Sequence, residues 1–330
     1  MLLLSEAAVD ACFDPATAIA ATRAAFVALA EGRVTIPLRG EIHRQAPGGL
    51  ALIMPGLAGN EILGLKLVGH VDDVDDPSRK YTTGMMLVWD AATLRPRALL
   101  AADTFNDHRT AAGIAVATDV LARPEASVLV QFGVGKIAFE AVRYVARVRR
   151  LERVHLFGRR PGRAEAMAER LRAHPDMAGV VIDTATPVAT ALAAADIVTT
   201  VTTAETPVFD GSLLRPGCHV NLAGANRPEQ REMDDAVAAR AWFVLDEATA
   251  CRARAGDVLV PLASGVLEER RILGELGDVL RGTAPGRPDP AAITVFKSLG
   301  VAVQDLFVAD DLVTRAEREG RGQRFDHLNG

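Results

Sequence analysis

Three cationic side chains in the first part of the chain are of a type and placement that could do chemistry. Lys66 lies inside the apolar run 65–68, where strand alternation places it on the face opposite its leucine neighbours. A lysine inside an apolar strand fits the account of a solvated surface charge poorly, and a charge that faces a cavity can be kept there for chemistry. Arg109 lies near the start of a helix expected over 106–121, against the helix dipole, which favours a role in holding an anion. For each of these two, and for Arg39, the alternative is an ordinary solvated surface charge.

A glycine-rich turn follows the apolar strand expected at 127–132. Gly133, Gly135 and Ala138 form the pattern G-x-G-x-x-A, and a helix expected at 136–149 begins within it. The first glycine permits a tight turn, the second lets a pyrophosphate approach the backbone, and the alanine lets the helix pack close to the strand. The helix N-terminus then offers free N–H groups to phosphates. The sequence therefore predicts a dinucleotide site, against the alternative of a plain strand–helix turn.

The residues after the next strand bear on which dinucleotide binds. An acidic residue there would bind the ribose 2′-hydroxyl of NAD, but the strand expected at 153–157 is followed by Gly158, Arg159 and Arg160. Glycine leaves room for a 2′-phosphate, and arginine can pair with it. We expect an NAD(P)H cofactor with NADPH slightly favoured. If these arginines form only a solvated loop, NADH would be accepted through other contacts.

A polar residue beyond a later strand is a second candidate for the reacting region. Asn226 follows the strand expected at 218–223, and ligands of parallel sheets bind beyond the carboxyl ends of the strands. Asn226 is therefore expected near the nicotinamide. An Asx turn before Pro228 is an equally good account of it.

The elements that must position these residues fall into two groups. Strands without intervening helices are expected at 34–43, 50–54, 62–70, 83–89 and 97–102, which indicates an antiparallel sheet. Strands alternating with helices are expected at 127–132, 153–157, 179–183, 196–201, 218–223 and 241–245. Six such strands predict a doubly wound, Rossmann-type parallel sheet. A loop is expected at 254–262, and an apolar C-terminal helix to about residue 318 would pack back on the first domain and make it discontinuous.

Composition excludes several classes of function. A chain of 330 residues suggests about two domains, and a net charge of −5 argues against a nucleic-acid surface. Three scattered cysteines imply neither a disulfide framework nor a metal cluster. The N-terminal apolar stretch is too short for a signal peptide, and no apolar run reaches membrane-spanning length. We expect a cytoplasmic α/β protein with no metal, no membrane association and no nucleic-acid partner.

The chain resembles the ornithine cyclodeaminase/mu-crystallin family over nearly its whole length. Several separated motifs in order are more specific than the glycine turn alone. They are Leu65-Lys66-Leu67-Val68, the Arg-Thr-Ala-Ala run at 109–112, the glycine turn, Gly224-Ala225-Asn226-Arg227-Pro228 with Arg231-Glu232-Met233-Asp234, the segment from Gly256-Asp257 to Pro261, and Thr294-Val295-Phe296-Lys297-Ser298-Leu299-Gly300.

The resemblance implies a homodimer with two domains and an active site in the cleft. Residues 1–112 with 301–330 would bind substrate and dimerise, and residues 113–300 would form the NAD(P)-binding Rossmann domain. Arg39 and Arg109 would hold a substrate α-carboxylate, and Lys66 would contact the substrate and transfer a proton. The cofactor-binding residues expected are Thr82, Thr83, Arg109, Gly133, Gly135, Lys136, Ile137, Ala138, Gly158, Arg159, Arg160, Val201, Thr202, Asn226 and Ser298.

Asn226 departs from the family's cyclodeaminase pattern, which has an aspartate at this place. An amide can hydrogen-bond but cannot act as a base at neutral pH. We therefore expect NAD(P)H-dependent reduction of a small α-imino acid to the L-amino acid, with pyrroline-2-carboxylate, iminosuccinate and the imine of pyruvate as candidates. The alternatives are an ornithine cyclodeaminase-type lyase, an alanine dehydrogenase-like enzyme and a ligand-binding protein without activity.

Three histidines near the cationic residues in sequence add one further possibility. His43, His70 or His108 could bind a second substrate carboxylate, which would point to iminosuccinate. Each is otherwise accounted for as a partly exposed polar residue.

Overall fold

The computed structural model describes residues 1–37, 39–45, 49–72 and 80–325. The first elements of the chain are β1 (Leu2–Leu4), α1 (Glu6–Cys12), α2 (Pro15–Ala30), β2 (Val34–Thr35), β3 (Gly40–Arg44), β4 (Gly49–Ala58), β5 (Ile62–Asp72), β6 (Lys80–Asp90), β7 (Arg95–Ala101) and α3 (Asp103–Leu121). The remaining elements are β8 (Val128–Phe132), α4 (Lys136–Val148), β9 (Arg153–Phe157), α5 (Arg163–Arg172), β10 (Val181–Asp183), α6 (Val188–Ala194), β11 (Ile197–Thr200), β12 (His219–Leu222), α7 (Asp235–Ala238), β13 (Ala241–Leu245), α8 (Ala248–Arg254), α9 (Gly256–Ala263), β14 (Ile272–Glu275), α10 (Leu276–Arg281), β15 (Ile293–Lys297), α11 (Ala302–Glu319) and β16 (Gln323–Arg324).

The chain divides into two compact units, and helix α3 contains one of the boundaries. The first unit comprises Met1–Arg109 with Val301–Gly330, and the second comprises Thr110–Gly300. Among the described residues no single helix has the length and apolar character to cross a membrane; only the bent pair α1 and α2 passes on length and composition.

The first unit is a mostly antiparallel sheet covered on one face by helices. Its strand order is β16-β1-β7-β6-β5-β4-β2, with β3 also paired to β4. Helix α2 starts as its sequence dictates, because the Asp14 side chain accepts a hydrogen bond from the Ala16 N–H and Pro15 takes the first helical position. Helix α11 buries its apolar face, including Leu306 and Leu312, against the sheet core around Met86.

The second unit is the parallel sheet that the alternating pattern predicts. Its strand order is β10-β9-β8-β11-β12-β15-β13-β14, and every pairing is parallel. The order reverses between β8 and β11, which is where dinucleotides bind in such sheets. The α/β fold class, a Rossmann-type sheet with a discontinuous α+β domain, is thus confirmed.

Several element boundaries differ from those expected. The sheet has eight strands rather than six, because β15 inserts between β12 and β13 and β14 extends the edge. Residues 254–262, expected as a loop, mostly form α9, which tolerates Pro261 near its end. The strand expected at 34–43 is two strands, and Arg39 lies between them.

Candidate active site

A buried ion pair in the first unit contains the lysine singled out by its apolar strand. Lys66 in β5 is 1% exposed, and its Nζ donates to Asp305 Oδ1 at 2.7 Å. Asp305 lies in the first turn of α11 and is also 1% exposed. The strand register places Met54 of β4 and Met86 of β6 beside Lys66, and both are buried. The lysine therefore has an apolar setting and one close carboxylate.

Two arginines add positive charge to this ion pair. Arg109 Nε lies 3.1 Å from the same Asp305 Oδ1, and its Nη2 donates to Asn106 Oδ1 at 2.6 Å. Arg39 is half-buried and lies 4.0 Å from Glu41 Oε1. Its positive charge also contributes to lowering the pKa of Lys66. The structure thus brings together Lys66, Arg109 and the charge of Arg39.

The pKa of Lys66 responds to this setting. Burial lowers it, the Arg109 guanidinium lowers it further, and the Asp305 carboxylate opposes both, so that the pKa falls from 10.5 to about 8. A lysine with such a pKa is cationic at neutral pH yet can give up its proton without a large free-energy cost. The cluster can therefore attract an anion and move a proton at the same place.

The glycine turn in the second unit has the geometry of a phosphate cradle. Gly133 has φ +96°, and a Cβ there would lie 2.1 Å from the Val201 carbonyl oxygen, so that only glycine fits. Gly135 is exposed, and a Cβ there would meet no atom within 4 Å. Ala138, in the first turn of α4, is fully buried, as close helix–strand packing requires. The residues present fit a dinucleotide pyrophosphate at the N-terminus of α4.

Lys136 and Ile137 open α4, with Lys136 exposed and Ile137 half-buried. Arg159 and Arg160 follow β9, and both are exposed. Gly158 has an additional packing reason, since a Cβ there would lie 2.7 Å from the Val134 side chain of the glycine turn.

One buried carboxylate ties together the two loops that follow β11 and β12. Glu232 Oε1 accepts hydrogen bonds from the Thr202 N–H at 2.7 Å and from its hydroxyl at 2.8 Å. Its Oε2 accepts from the N–H groups of Gly224 at 2.8 Å and Ala225 at 3.0 Å. Of the two residues expected at the cofactor, Thr202 is therefore held by Glu232, whereas the Val201 N–H donates to the Phe132 carbonyl at 2.9 Å.

A second buried lysine supports the same loops from below. Lys297 Nζ donates to Asp257 Oδ2 at 2.9 Å and to the Ala225 carbonyl at 2.6 Å. Asp257 Oδ1 in turn accepts from the Glu232 N–H at 2.8 Å. Burial alone would lower the pKa of Lys297, but the carboxylates of Asp257 and Glu232 outweigh it and raise that pKa above 10.5.

The other residues expected at the site lie as follows. The Ser298 hydroxyl donates to Asp246 Oδ2 at 3.0 Å, so it serves this buried carboxylate. Asn226 is exposed, and its N–H donates to Gln230 Oε1 at 3.1 Å, leaving its side chain at the surface. Thr82 and Thr83 are exposed on β6.

The structure describes the side chains of two of the three histidines, His43 and His108. His43 is 72% exposed and lies 3.5 Å from Glu41. His108 is buried and stacks on Phe13 with ring centroids 4.2 Å apart, facing Asp10. The side chain of His70 lies outside the described residues. The structure thus gives His108 a packing role.

Asp305 is the site residue that the sequence analysis missed. It sits four residues into an apolar helix, where an acidic residue is usually read as dipole compensation. A signal was available, because Asp305 falls on the helical face of buried residues such as Leu312 rather than on the solvent side.

The chain is similar to known proteins both in sequence and in fold. The sequence is 35% identical over 296 residues to a Delta(1)-pyrroline-2-carboxylate reductase of Bacillus cereus, covering 89% of this chain and 90% of that protein. The fold is similar to that of the Thermococcus litoralis Delta(1)-pyrroline-2-carboxylate reductase in complex with NADH and L-proline, with a TM-score of 0.92, 29% identity, and coverage of 98% and 100% of the two chains. It is also similar to the iminosuccinate reductase of Paracoccus denitrificans in complex with NAD+, with a TM-score of 0.88, 26% identity and 99% coverage of both chains.

The family assignment rests on the whole length of the chain and on its motifs. The profile of the family matches residues 1–320, which include the Lys66 strand, the glycine turn and the segment around Ser298. The chain belongs to the ornithine cyclodeaminase/mu-crystallin family.

Proposed function

We propose that this protein is an NAD(P)H-dependent imino acid reductase that converts Δ1-pyrroline-2-carboxylate to L-proline. The main support for this proposal is the buried Lys66. Its pKa of about 8 and its cationic neighbours suit a substrate with a carboxylate beside a basic nitrogen. The names of the relatives support the same chemistry, because both the Bacillus and the Thermococcus proteins are pyrroline-2-carboxylate reductases.

Each residue has a role that its chemistry allows. Arg109 and Arg39 bind the substrate carboxylate, since a guanidinium fork matches two carboxylate oxygens. Lys66 donates a proton to the imine nitrogen, and its lowered pKa makes that transfer cheap. The reduced nicotinamide supplies the hydride. Asn226 contributes a hydrogen bond to the substrate and no proton transfer.

Cyclodeamination fits this chain less well. That reaction must remove a proton from a substrate amine, and the residue at 226 is an amide that is not a base at neutral pH. We therefore assign reduction rather than release of ammonia.

The decisive experiment follows oxidation of NADH and NADPH with Δ1-pyrroline-2-carboxylate, its six-membered-ring homologue and iminosuccinate, each tested separately. We expect the five-membered ring to give the highest kcat/KM. Lys66→Met should lose at least about a hundredfold in kcat/KM, because general acid catalysis contributes on that order. Arg33→Met is the matched control, since Arg33 is exposed and pairs with Glu31. Ammonia release from ornithine without net cofactor oxidation would overturn the proposal.

We also propose that NADPH is accepted, through Arg159 and Arg160. Both side chains are exposed, and no acidic residue follows β9 directly to repel a 2′-phosphate. Arg159→Ala with Arg160→Ala should raise the KM for NADPH at least about tenfold, the loss expected for charge-assisted hydrogen bonds, and leave that for NADH within about twofold. Equal effects on both cofactors would argue against a 2′-phosphate contact.

We further propose that the protein is a homodimer through the outer face of the first sheet. Leu67 and Met85 are paired across β5 and β6 and are 46% and 57% exposed, although the outer face of an antiparallel sheet is normally polar. The sheet's other face already packs on helices, and a second copy would cover this one. Light scattering should show a dimer, and Leu67→Glu with Met85→Glu should give monomers. Val181→Glu, at an exposed valine of the second unit, should leave the mass unchanged.

A further inference from the structure

The carboxylate of Asp305 is placed unlike an ordinary ion-pair partner. Its Oδ1 accepts from Lys66 Nζ at 2.7 Å and lies 3.1 Å from Arg109 Nε. Its Oδ2 is buried and has no hydrogen-bond partner within the part of the chain that the structure describes. A buried oxygen left in this way costs free energy, so a structural role alone is a poor account of it.

The charges that face Lys66 come from three different elements. Asp305 contributes a negative charge from α11, whereas Arg109 from α3 and Arg39 from the segment between β2 and β3 contribute positive charges. The flanking strands contribute the uncharged Met54 and Met86. Burial and the two guanidinium groups each favour a neutral amine at Lys66. The carboxylate of Asp305 acts in the opposite direction and favours the charged ammonium.

We propose that Asp305 is a positioning residue of the imine reduction, whose carboxylate keeps the Lys66 ammonium charged and oriented as the proton donor. This inference rests on the proposed function. In the reaction the C=N carbon accepts the hydride that the cofactor supplies, and the cofactor is oxidised. The electron pair of the C=N π bond moves to nitrogen, which takes the proton from Lys66 Nζ. Lys66 becomes a neutral amine and regains a proton from water, while Asp305 is unchanged.

The substitution that tests this role is Asp305→Asn, which keeps the size and one hydrogen-bond acceptor but removes the charge. Without that charge the Lys66 ammonium should lose its proton at lower pH. Imine reduction requires the ammonium form of Lys66, so kcat/KM falls on the alkaline limb of the pH profile, where this form is lost. We expect the alkaline limb to move to lower pH by at least about one unit. Oxidation of L-proline, the reverse reaction, requires the neutral amine, so its kcat/KM falls on the acidic limb of the profile. This limb should move to lower pH by the same amount.

Two variants serve as controls. Asp305→Glu keeps the charge and should leave both limbs within about half a pH unit of the wild type, even if kcat falls. Asp311→Asn alters a carboxylate of the same helix whose Oδ2 accepts from the Thr17 hydroxyl at 2.9 Å. It should leave both limbs in place.

A direct titration makes the test independent of activity. The chain has four lysines, Lys66, Lys80, Lys136 and Lys297, so lysine labelled with 13C at Cε gives four resolvable NMR signals. Lys66→Met assigns the signal of Lys66. Its titration should occur near pH 8 in the wild type and at least about one pH unit lower in Asp305→Asn. If Asp305→Asn does not fold, Asp305→Ser is the second uncharged variant.

The outcomes separate the two proposals. A wild type that reduces none of the imino acids contradicts the proposed function. A wild type that does reduce them, with Asp305→Asn lowering the rate equally at every pH and leaving the Lys66 titration unmoved, contradicts the role of Asp305 alone. A shift of both limbs together with the NMR titration supports it.

Discussion

Replacing Lys66 by methionine should change how the stability of the first unit depends on pH. In the folded protein Lys66 lies in a site that disfavours its charge, and its pKa is about 8. In the unfolded chain the same lysine has its ordinary pKa of 10.5, so below about pH 8 it is charged in both states. The difference between these two pKa values, 10.5 and about 8, corresponds to a loss of about 3 kcal/mol in the free energy of unfolding, at about 1.4 kcal/mol per pH unit. Because the folded pKa is the lower one, this destabilisation is fully present below about pH 8 and is lost as the pH rises toward 10.5.

The wild type should therefore gain stability relative to Lys66→Met as the pH rises. Between about pH 7 and about pH 9.5 the expected gain is about 2 kcal/mol, and contributions that do not titrate in this range cancel in the comparison. Trp89 of β6 and Trp242 of β13 are the two tryptophans, one in each unit. Urea unfolding followed by fluorescence in a Trp242→Phe background reports on the first unit. A constant difference between wild type and Lys66→Met across this range would refute the electrostatic account of the site.

Four further outcomes follow from the site. Gly133→Ala should destabilise the second unit by at least about 2 kcal/mol in urea unfolding, because its Cβ would collide with a backbone carbonyl. Gly135→Ala should leave stability within about 0.5 kcal/mol but raise the NADH Kd at least about tenfold in a fluorescence titration, since its Cβ enters only the space for the pyrophosphate. Lys297→Met should cost about 3–5 kcal/mol, measured through Trp242, because it leaves the buried Asp257 without its cation. Arg109→Lys keeps the charge but loses the fork, and should raise the KM for the imino acid about tenfold in steady-state assays.

The fold class could be predicted because its local signals are strong. The G-x-G-x-x-A turn needs glycine at Gly133 for both backbone conformation and space, so the motif reports a real constraint. Strand order was harder, because β15 pairs between β12 and β13 although it comes later in the chain than both of them. Nothing in the apolar run 293–297 encodes which strands it will separate. Helix α9 was missed since its glycine and proline, Gly256 and Pro261, are both loop signals in isolation.

The candidate site could be predicted only where a residue conflicts with its local pattern. Lys66 stood out because a charge interrupts an apolar strand. Asp305 did not, since an acid in the first turn of a helix is ordinary, and its contact with Lys66 joins residues 239 positions apart. Glu232 was quoted only as part of a motif, yet it receives four hydrogen bonds from two loops. Such contacts are set by the tertiary structure, and no regular spacing in the sequence reveals them.

Two lysines that the structure describes as buried show why burial alone does not identify a reactive group. Lys66 and Lys297 both lie in apolar strands, and both are at most 1% exposed. Lys297 has Asp257, Glu232 and the Ala225 carbonyl around it, so its pKa rises and its proton is held for structure. Lys66 shares one carboxylate with Arg109, so burial and positive charge lower its pKa to about 8. Only the lysine whose charge is incompletely compensated can exchange its proton near neutral pH, and that one lies in the cationic cluster suited to an anionic substrate.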